Sequence, residues 1–215
     1  MSKHIDRLRN EHKDFNLDGI NEDFGSDPIE AFKKWFDEAC AANISEPNAF
    51  SLATVDVNSF QPSSRIVYLK DLRNQELVFY TNYESEKGKE IEANLNVSML
   101  FFWPELQRQV RIQGEAYKIS KEDSDVYFKT RPRSSQIGAW ASNQSQRLNS
   151  STELTERVAA LEIKFPGEIP RPEFWGGYAV KPTLFEFWQG KPSRLHDRLV
   201  FVIEDSKWIS FLKNP

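Results

Sequence analysis

The hydrophobic period of this 215-residue chain changes near Ala49, and that change constrains the fold. Ahead of it, Asp27-Pro28 opens a stretch in which Ile29, Phe32, Trp35, Phe36, Ala39 and Cys40 recur at spacings of three and four. The pattern predicts a helix with Asp27 as its cap, Pro28 in its first turn and Cys40 on the apolar, core-facing stripe. Beyond Ala49 the spacing becomes two, as in a strand whose side chains alternate between faces. Strands are predicted at Phe50–Val57, Arg65–Leu69, Leu77–Thr81, Val97–Phe102 and Gln109–Lys118. Leu77–Thr81 follows a short Arg73-Asn74-Gln75 turn and reads as a hairpin partner of the strand before it. Val97–Phe102 is almost wholly apolar and is expected to be buried on both faces. Many short strands with short connections suggest an antiparallel sheet closing into a barrel or sandwich.

Helical signals punctuate the strands. Ser85 reads as the N-cap of a short helix, whose positive end accepts phosphate readily. Ser120-Lys-Glu-Asp123 resembles a capping box and opens a helix through Tyr127 that Pro132 stops. Ser151–Lys164 places Leu154, Val158 and Leu161 on one helical face. Strands return at Trp175–Val180 and Leu184–Trp188, and Leu199–Ile203 with Trp208–Leu212 forms a closing hairpin. Residues 1–25 read as a polar N-terminal arm, compatible with a short helix around Ile5–Phe15. Residues 26–215 read as a single α+β domain centred on a β-barrel.

Composition removes several classes of function. A net charge of −4 excludes a generally basic nucleic-acid binder. Cys40 is the only cysteine, and the three histidines show no Cys/His ligand spacing, so no metal site is expected. There is no apolar run long enough for a membrane span and no signal-peptide pattern, which points to the cytoplasm. P-loop, G-x-G-x-x-G and G-x-S-x-G patterns are absent.

What remains are clusters of cations with hydroxyls: Arg65 to Lys70, Ser85 with Lys87, Tyr127 to Ser135, and Arg194 to Arg198. Guanidinium and ammonium groups bind phosphate through charge-assisted hydrogen bonds. Two separate clusters suit two phosphorylated ligands, or one ligand with two charged ends. In the last cluster Arg194, His196 and Arg198 alternate with Leu195 and Asp197. In an extended segment they share one face, with Trp188 across the turn made by Gly190 and Pro192. Either something anionic or electron-rich lies opposite, or this is an edge strand with solvated charges.

Longer motifs carry a resemblance. Ser64-Arg-Ile-Val-Tyr-Leu-Lys70, Phe79-Tyr-Thr-Asn82, Gln107-Arg-Gln-Val110, Arg131-Pro-Arg-Ser-Ser-Gln-Ile-Gly-Ala-Trp140, Phe174-Trp-Gly-Gly177 and Glu186-Phe-Trp-Gln-Gly190 through Ser193-Arg-Leu-His-Asp-Arg198 are similar to the pyridoxamine/pyridoxine 5′-phosphate oxidase family along nearly the whole chain. The resemblance implies an antiparallel split β-barrel with peripheral helices, forming a homodimer with FMN at the subunit interface. It implies that Arg65 and Lys87 bind the FMN phosphate. Ile66, Val67, Tyr68, Leu69 and Lys70 would run along the flavin with Tyr80 and Thr81. Gln109, Gln144, Ser145, Trp188 and Arg198 would complete the cofactor site. Lys70, Tyr127, Arg131 and Ser135 would meet the substrate phosphate. Arg194, Leu195 and His196 would lie at the pyridine ring, with Arg194 and His196 as the catalytic pair.

The implied reaction moves a hydride equivalent from C4′ of the substrate to FMN, and O2 then yields H2O2. A flavin- or pyridoxal-phosphate-binding split-barrel carrier without turnover is the alternative. Three departures from the family pattern stand out. Glu86 occupies the place where an Arg often precedes Lys87. Arg9-Asn-Glu-His12 replaces Arg-Arg-Glu-Tyr. The C-terminus has Lys213 near the place of a usual Arg.

Overall fold

A computed structural model describes residues 5, 11, 14–17, 19–20 and 24–215. Most of the helix expected around Ile5–Phe15 lies outside the described residues, as do Arg9, Asn10 and His12. The chain forms two compact units from interleaved segments. One takes Met1–Pro47, Leu100–Ile112 and Thr183–Pro215; the other takes Asn48–Met99 and Gln113–Pro182.

The first unit is built around helix α1 (Pro28–Ala41). Asp27 caps it, accepting from the Ile29 amide at 2.8 Å. The apolar stripe buries Ile29, Phe32, Trp35 and Ala39. Phe32 meets Phe101 at 5.1 Å, and Trp35 meets Phe187 edge-on at 5.3 Å. Cys40, expected in this core, is exposed. It follows Ala39 by about 100° of helix rotation, which turns it off the buried stripe.

Strand β7 (Trp175–Gln189) ends in this unit and pairs antiparallel with β8 (Asp197–Glu204), setting Trp188 opposite Arg198. Next, β8 turns through Asp205 and Ser206, both at positive φ, into β9 (Lys207–Leu212). Because β8 is paired on both sides, it is not the edge strand that the charge pattern allowed.

The second unit begins with β1 (Ala49–Val55) antiparallel to β2 (Pro62–Tyr68), with Leu52 opposite Arg65. Leu77–Thr81 falls within β4 (Glu76–Asn82), but its hairpin partner is the three-residue β3 (Asp71–Arg73), not the strand holding Arg65. Asn74 and Gln75 at positive φ make that turn tight, so β4 folds back on the residues just before it. On its other side β4 pairs with β7, Asn82 facing Trp175. Four helices follow: α2 (Glu86–Ala93), α3 (Lys121–Thr130), α4 (Arg133–Ala141) and α5 (Ser151–Lys164). Ser85 and Ser120 cap α2 and α3, accepting from the Gly88 and Asp123 amides. Gly88 is required where it stands, since a Cβ there would lie 2.1 Å from the Tyr83 carbonyl oxygen.

Strands β5 (Asn96–Trp103) and β6 (Arg108–Lys118) complete a sheet of order β2-β1-β5-β6-β7-β4-β3, with β8 on β7 and β9 on β8. The expectation of two buried faces for Val97–Phe102 fails. Val97, Met99, Phe101 and Trp103 are buried, whereas Phe102 is 58% exposed. The pleat sends alternate residues to opposite faces whatever their hydrophobicity. Among the described residues, no helix is long and apolar enough to cross a membrane.

Candidate functional site

A cavity of about 890 Å³ lies wholly within the second unit. From β2 and its end it takes Arg65, Ile66, Val67, Tyr68 and Lys70. Strand β4 supplies Tyr80 and Thr81, and the first turn of α2 supplies Glu86 and Lys87. Tyr127 and Arg131 come from α3 and its end, Ser135 from α4, and Gln144 and Ser145 from the loop beyond. Thirteen residues expected at a cofactor or substrate site are thus brought together. Leu69, just past the end of β2, is buried and does not line the cavity.

Lys87 is buried, and its Nζ donates to Gln144 Oε1 at 2.9 Å and to the Thr81 and Ser85 hydroxyls at 3.3 Å. Burial, then the neighbouring Arg65 charge, lower its pKa to about 8. Arg65 is half-buried. It donates to Thr54 Oγ1, to the Leu52 carbonyl at 3.3 Å and to Ser63 Oγ at 2.6 Å. Buried Glu90 lies 3.4 Å from its Nη2 and also accepts from Ser63 at 2.9 Å. Spacing did not single out Glu90, Thr54 or Ser63. The available signal was that Lys87 and Glu90, three apart, share a face of α2.

A second cation, Arg131, follows α3 where Pro132 ends the helix. Burial lowers its pKa, and Nη1 is enclosed with no hydrogen-bond partner. Its guanidinium lies over the Trp175 ring, 4.4 Å from the centroid. Tyr80 and Tyr127 stack at 3.8 Å beside the same indole, and burial raises the Tyr80 pKa to about 12. Lys70 Nζ sits 5.2 Å from the Tyr68 ring.

The remaining expected residues, Gln109, Trp188, Arg194, Leu195, His196 and Arg198, belong to the first unit. Trp188 and His196 rings are 4.7 Å apart, and Phe15 stands edge-on to both. His196 Nδ1 accepts from the Lys191 amide at 3.2 Å, which leaves Nε2 as the donor of the neutral ring. The expectation that Arg194, His196 and Arg198 share one extended face is not met. Ser193 and Arg194 adopt left-handed φ of 58° and 61° in a 3-10 turn over Pro192–Arg194, and strand geometry resumes only at Asp197. Pro192 favours that turn and breaks the alternation. Arg198 already has an anion: buried Glu186 accepts from its Nη2 at 2.8 Å and from Arg111 at 2.7 Å. Gln109 is half-buried on β6, and Leu195 is exposed.

The antiparallel sheet and the cation-lined cavity beside its strands define a split β-barrel protein. Residues 36–164 match the family model described as pyridoxamine 5′-phosphate oxidase. Residues 175–215 match that of the pyridoxine 5′-phosphate oxidase C-terminal dimerisation region. A pyridoxine/pyridoxamine 5′-phosphate oxidase of Rubrobacter xylanophilus is 50% identical over 198 residues, 91% of each chain. Another, of Neisseria gonorrhoeae, is 45% identical over 209 residues, 97% of this chain and 99% of its own. The crystal structure of PhzG from Burkholderia lata, in complex with tetrahydrophenazine-1-carboxylic acid, aligns with a TM-score of 0.87 at 28% identity, covering 93% of this chain and 99% of that one. The chain belongs to the pyridoxamine 5′-phosphate oxidase family, as its motifs implied.

Proposed function

We propose that the chain is an FMN-dependent oxidase. It converts pyridoxamine 5′-phosphate or pyridoxine 5′-phosphate to pyridoxal 5′-phosphate, with O2 reduced to H2O2. Besides family membership, one observation carries this reading: a single cavity is lined by two cationic sets. Arg65 and Lys87 fit the phosphate of FMN, and Lys70 and Arg131, with Tyr127 and Ser135, fit that of the substrate. The buried, unpartnered Nη1 of Arg131 is a donor that a phosphate oxygen would satisfy. An anion beside Lys87 likewise offsets the cost of burying its charge.

In this reading Ile66, Val67, Tyr68, Leu69, Tyr80, Thr81, Gln144 and Ser145 border the flavin, and Gln109, Trp188 and Arg198 also contact it. Arg194, Leu195 and His196 contact the pyridine ring. Arg194 orients C4′ and offsets charge as hydride leaves, and His196 packs on the ring without serving as an obligatory base. FMN supplies the hydride acceptor, which amino-acid side chains do not provide. The match of residues 175–215 to a dimerisation region supports a homodimer, with FMN at the subunit interface. The lone cysteine is consistent with a cytoplasmic protein.

The test is to load the purified protein with FMN, add pyridoxamine 5′-phosphate and follow H2O2 and ammonia. Both are expected in equal amounts with pyridoxal 5′-phosphate. A flavin-loaded protein that binds the ligand and releases no peroxide is the carrier instead.

A further inference from the structure

We propose that Trp175 is the positioning residue for Arg131: its indole face holds the guanidinium ready for the substrate phosphate. This rests on the assignment of Arg131 to that phosphate under the proposed function. Other arginines of the same unit are held by carboxylates, as Arg65 is by Glu90 and Arg73 by Asp123 at 3.1 Å. Among the described residues Arg131 has no ion pair. Its guanidinium instead stacks 4.4 Å over Trp175, with Phe128 at 5.6 Å. A carboxylate would orient the group but neutralise it. A ring face restrains it and leaves its charge for the ligand.

The ring is itself well fixed. Trp175 is buried, paired with Asn82 across the sheet, and lies parallel to Tyr80 and Tyr127, at 13° and 5°. Phe128 meets it edge-on at 5.2 Å. The Arg131 backbone is anchored separately, because Gln136 Nε2 donates to its carbonyl at 3.0 Å. The side chain therefore depends on Trp175 for its orientation while the main chain does not.

A double-mutant cycle on the FMN-loaded protein tests this, reading the dissociation constants of pyridoxal 5′-phosphate and of unphosphorylated pyridoxal. Arg131→Ala is expected to weaken the phosphorylated ligand alone. Trp175→Leu should weaken it about tenfold, and Trp175→Phe, which keeps a ring and the fold, about threefold. Pyridoxal affinity should hold within about twofold in both, and adding Trp175→Leu to Arg131→Ala should change little. If the Trp175 effect persists undiminished without Arg131, or is equal for pyridoxal, the inference is wrong and the phosphate site stands. If Arg131→Ala leaves pyridoxal 5′-phosphate binding unchanged, the assignment of Arg131 fails and takes the inference with it.

Discussion

Lys87 Nζ donates to Gln144 Oε1 at 2.9 Å, joining residues 57 apart in the chain. The bond lines the cavity with a cation that burial, reinforced by Arg65, lowers to a pKa of about 8. Its folded pKa therefore lies below its unfolded value of 10.5. Between those values the unfolded chain binds more protons, so the stability of the flavin-free protein should rise with pH. Flavin phosphate binding runs the other way, because above pH 8 the site must take up a proton to bind the anion. FMN affinity should fall by up to about tenfold per unit above pH 8 in the wild type and stay nearly flat in Lys87→Met. Flavin fluorescence quenching between pH 7 and 10 measures both, and a flat wild-type profile would refute the role given to Lys87.

Arg65 and Arg131 should separate the two phosphate sites. Arg131→Ala removes a buried charged contact and is expected to cost substrate binding about 2–4 kcal/mol while FMN stays bound. Arg65→Ala should instead lower FMN occupancy. Flavin content of the purified variants, read with substrate KM, decides between them. Equal loss of flavin in both would mean that the sites are wrongly sorted.

Local chemistry was legible in the sequence wherever it is carried by neighbours in the chain. The Asp27, Ser85 and Ser120 caps, the Asn74-Gln75 turn and the β8–β9 hairpin all depend on residues within a few positions. Hydrophobicity alone misled for Phe102, because face is set by the pleat, and for Cys40, because face is set by helix rotation. Alternation misled for Arg194, where Pro192 imposes a turn. The site's supporting shell was the least legible part. Trp175 reaches Arg131 from 44 positions away, and Glu90 reaches Arg65 from 25, pairings that exist only once β7 has met the end of α3 and α2 has met β2. The cavity-lining residues were legible because their motifs resemble a family, not because their spacing demanded a cavity.

Glu86 sets a carboxylate on the cavity wall beside Lys87. It is exposed, so screening limits its influence. Glu86→Gln should tighten FMN about twofold to threefold and Glu86→Arg somewhat more, with the gain shrinking at high salt. Riboflavin, which lacks the phosphate, should show no gain. Tighter riboflavin binding in Glu86→Arg would mean that the residue acts on the fold of the wall and not through charge.

Glu186 gathers three cations of the first unit, accepting from Arg111 at 2.7 Å and Arg198 at 2.8 Å with Lys213 Nζ at 3.7 Å. Burial alone would raise its pKa, but the hydrogen bonds from Arg111 and Arg198 outweigh that and hold it below its usual 4.5. A depressed carboxylate contributes stability that is present above the unfolded pKa and lost as pH falls through the folded one. Glu186→Gln should therefore destabilise the protein at pH 7 by about 2–3 kcal/mol, at or below the usual range for breaking a buried pair because both guanidiniums keep some solvent. Thermal unfolding followed from pH 7 to pH 3 should show the gap between wild type and variant closing below pH 4.5. A gap that stays constant across that range would show that the loss comes from packing around residue 186 and not from its charge.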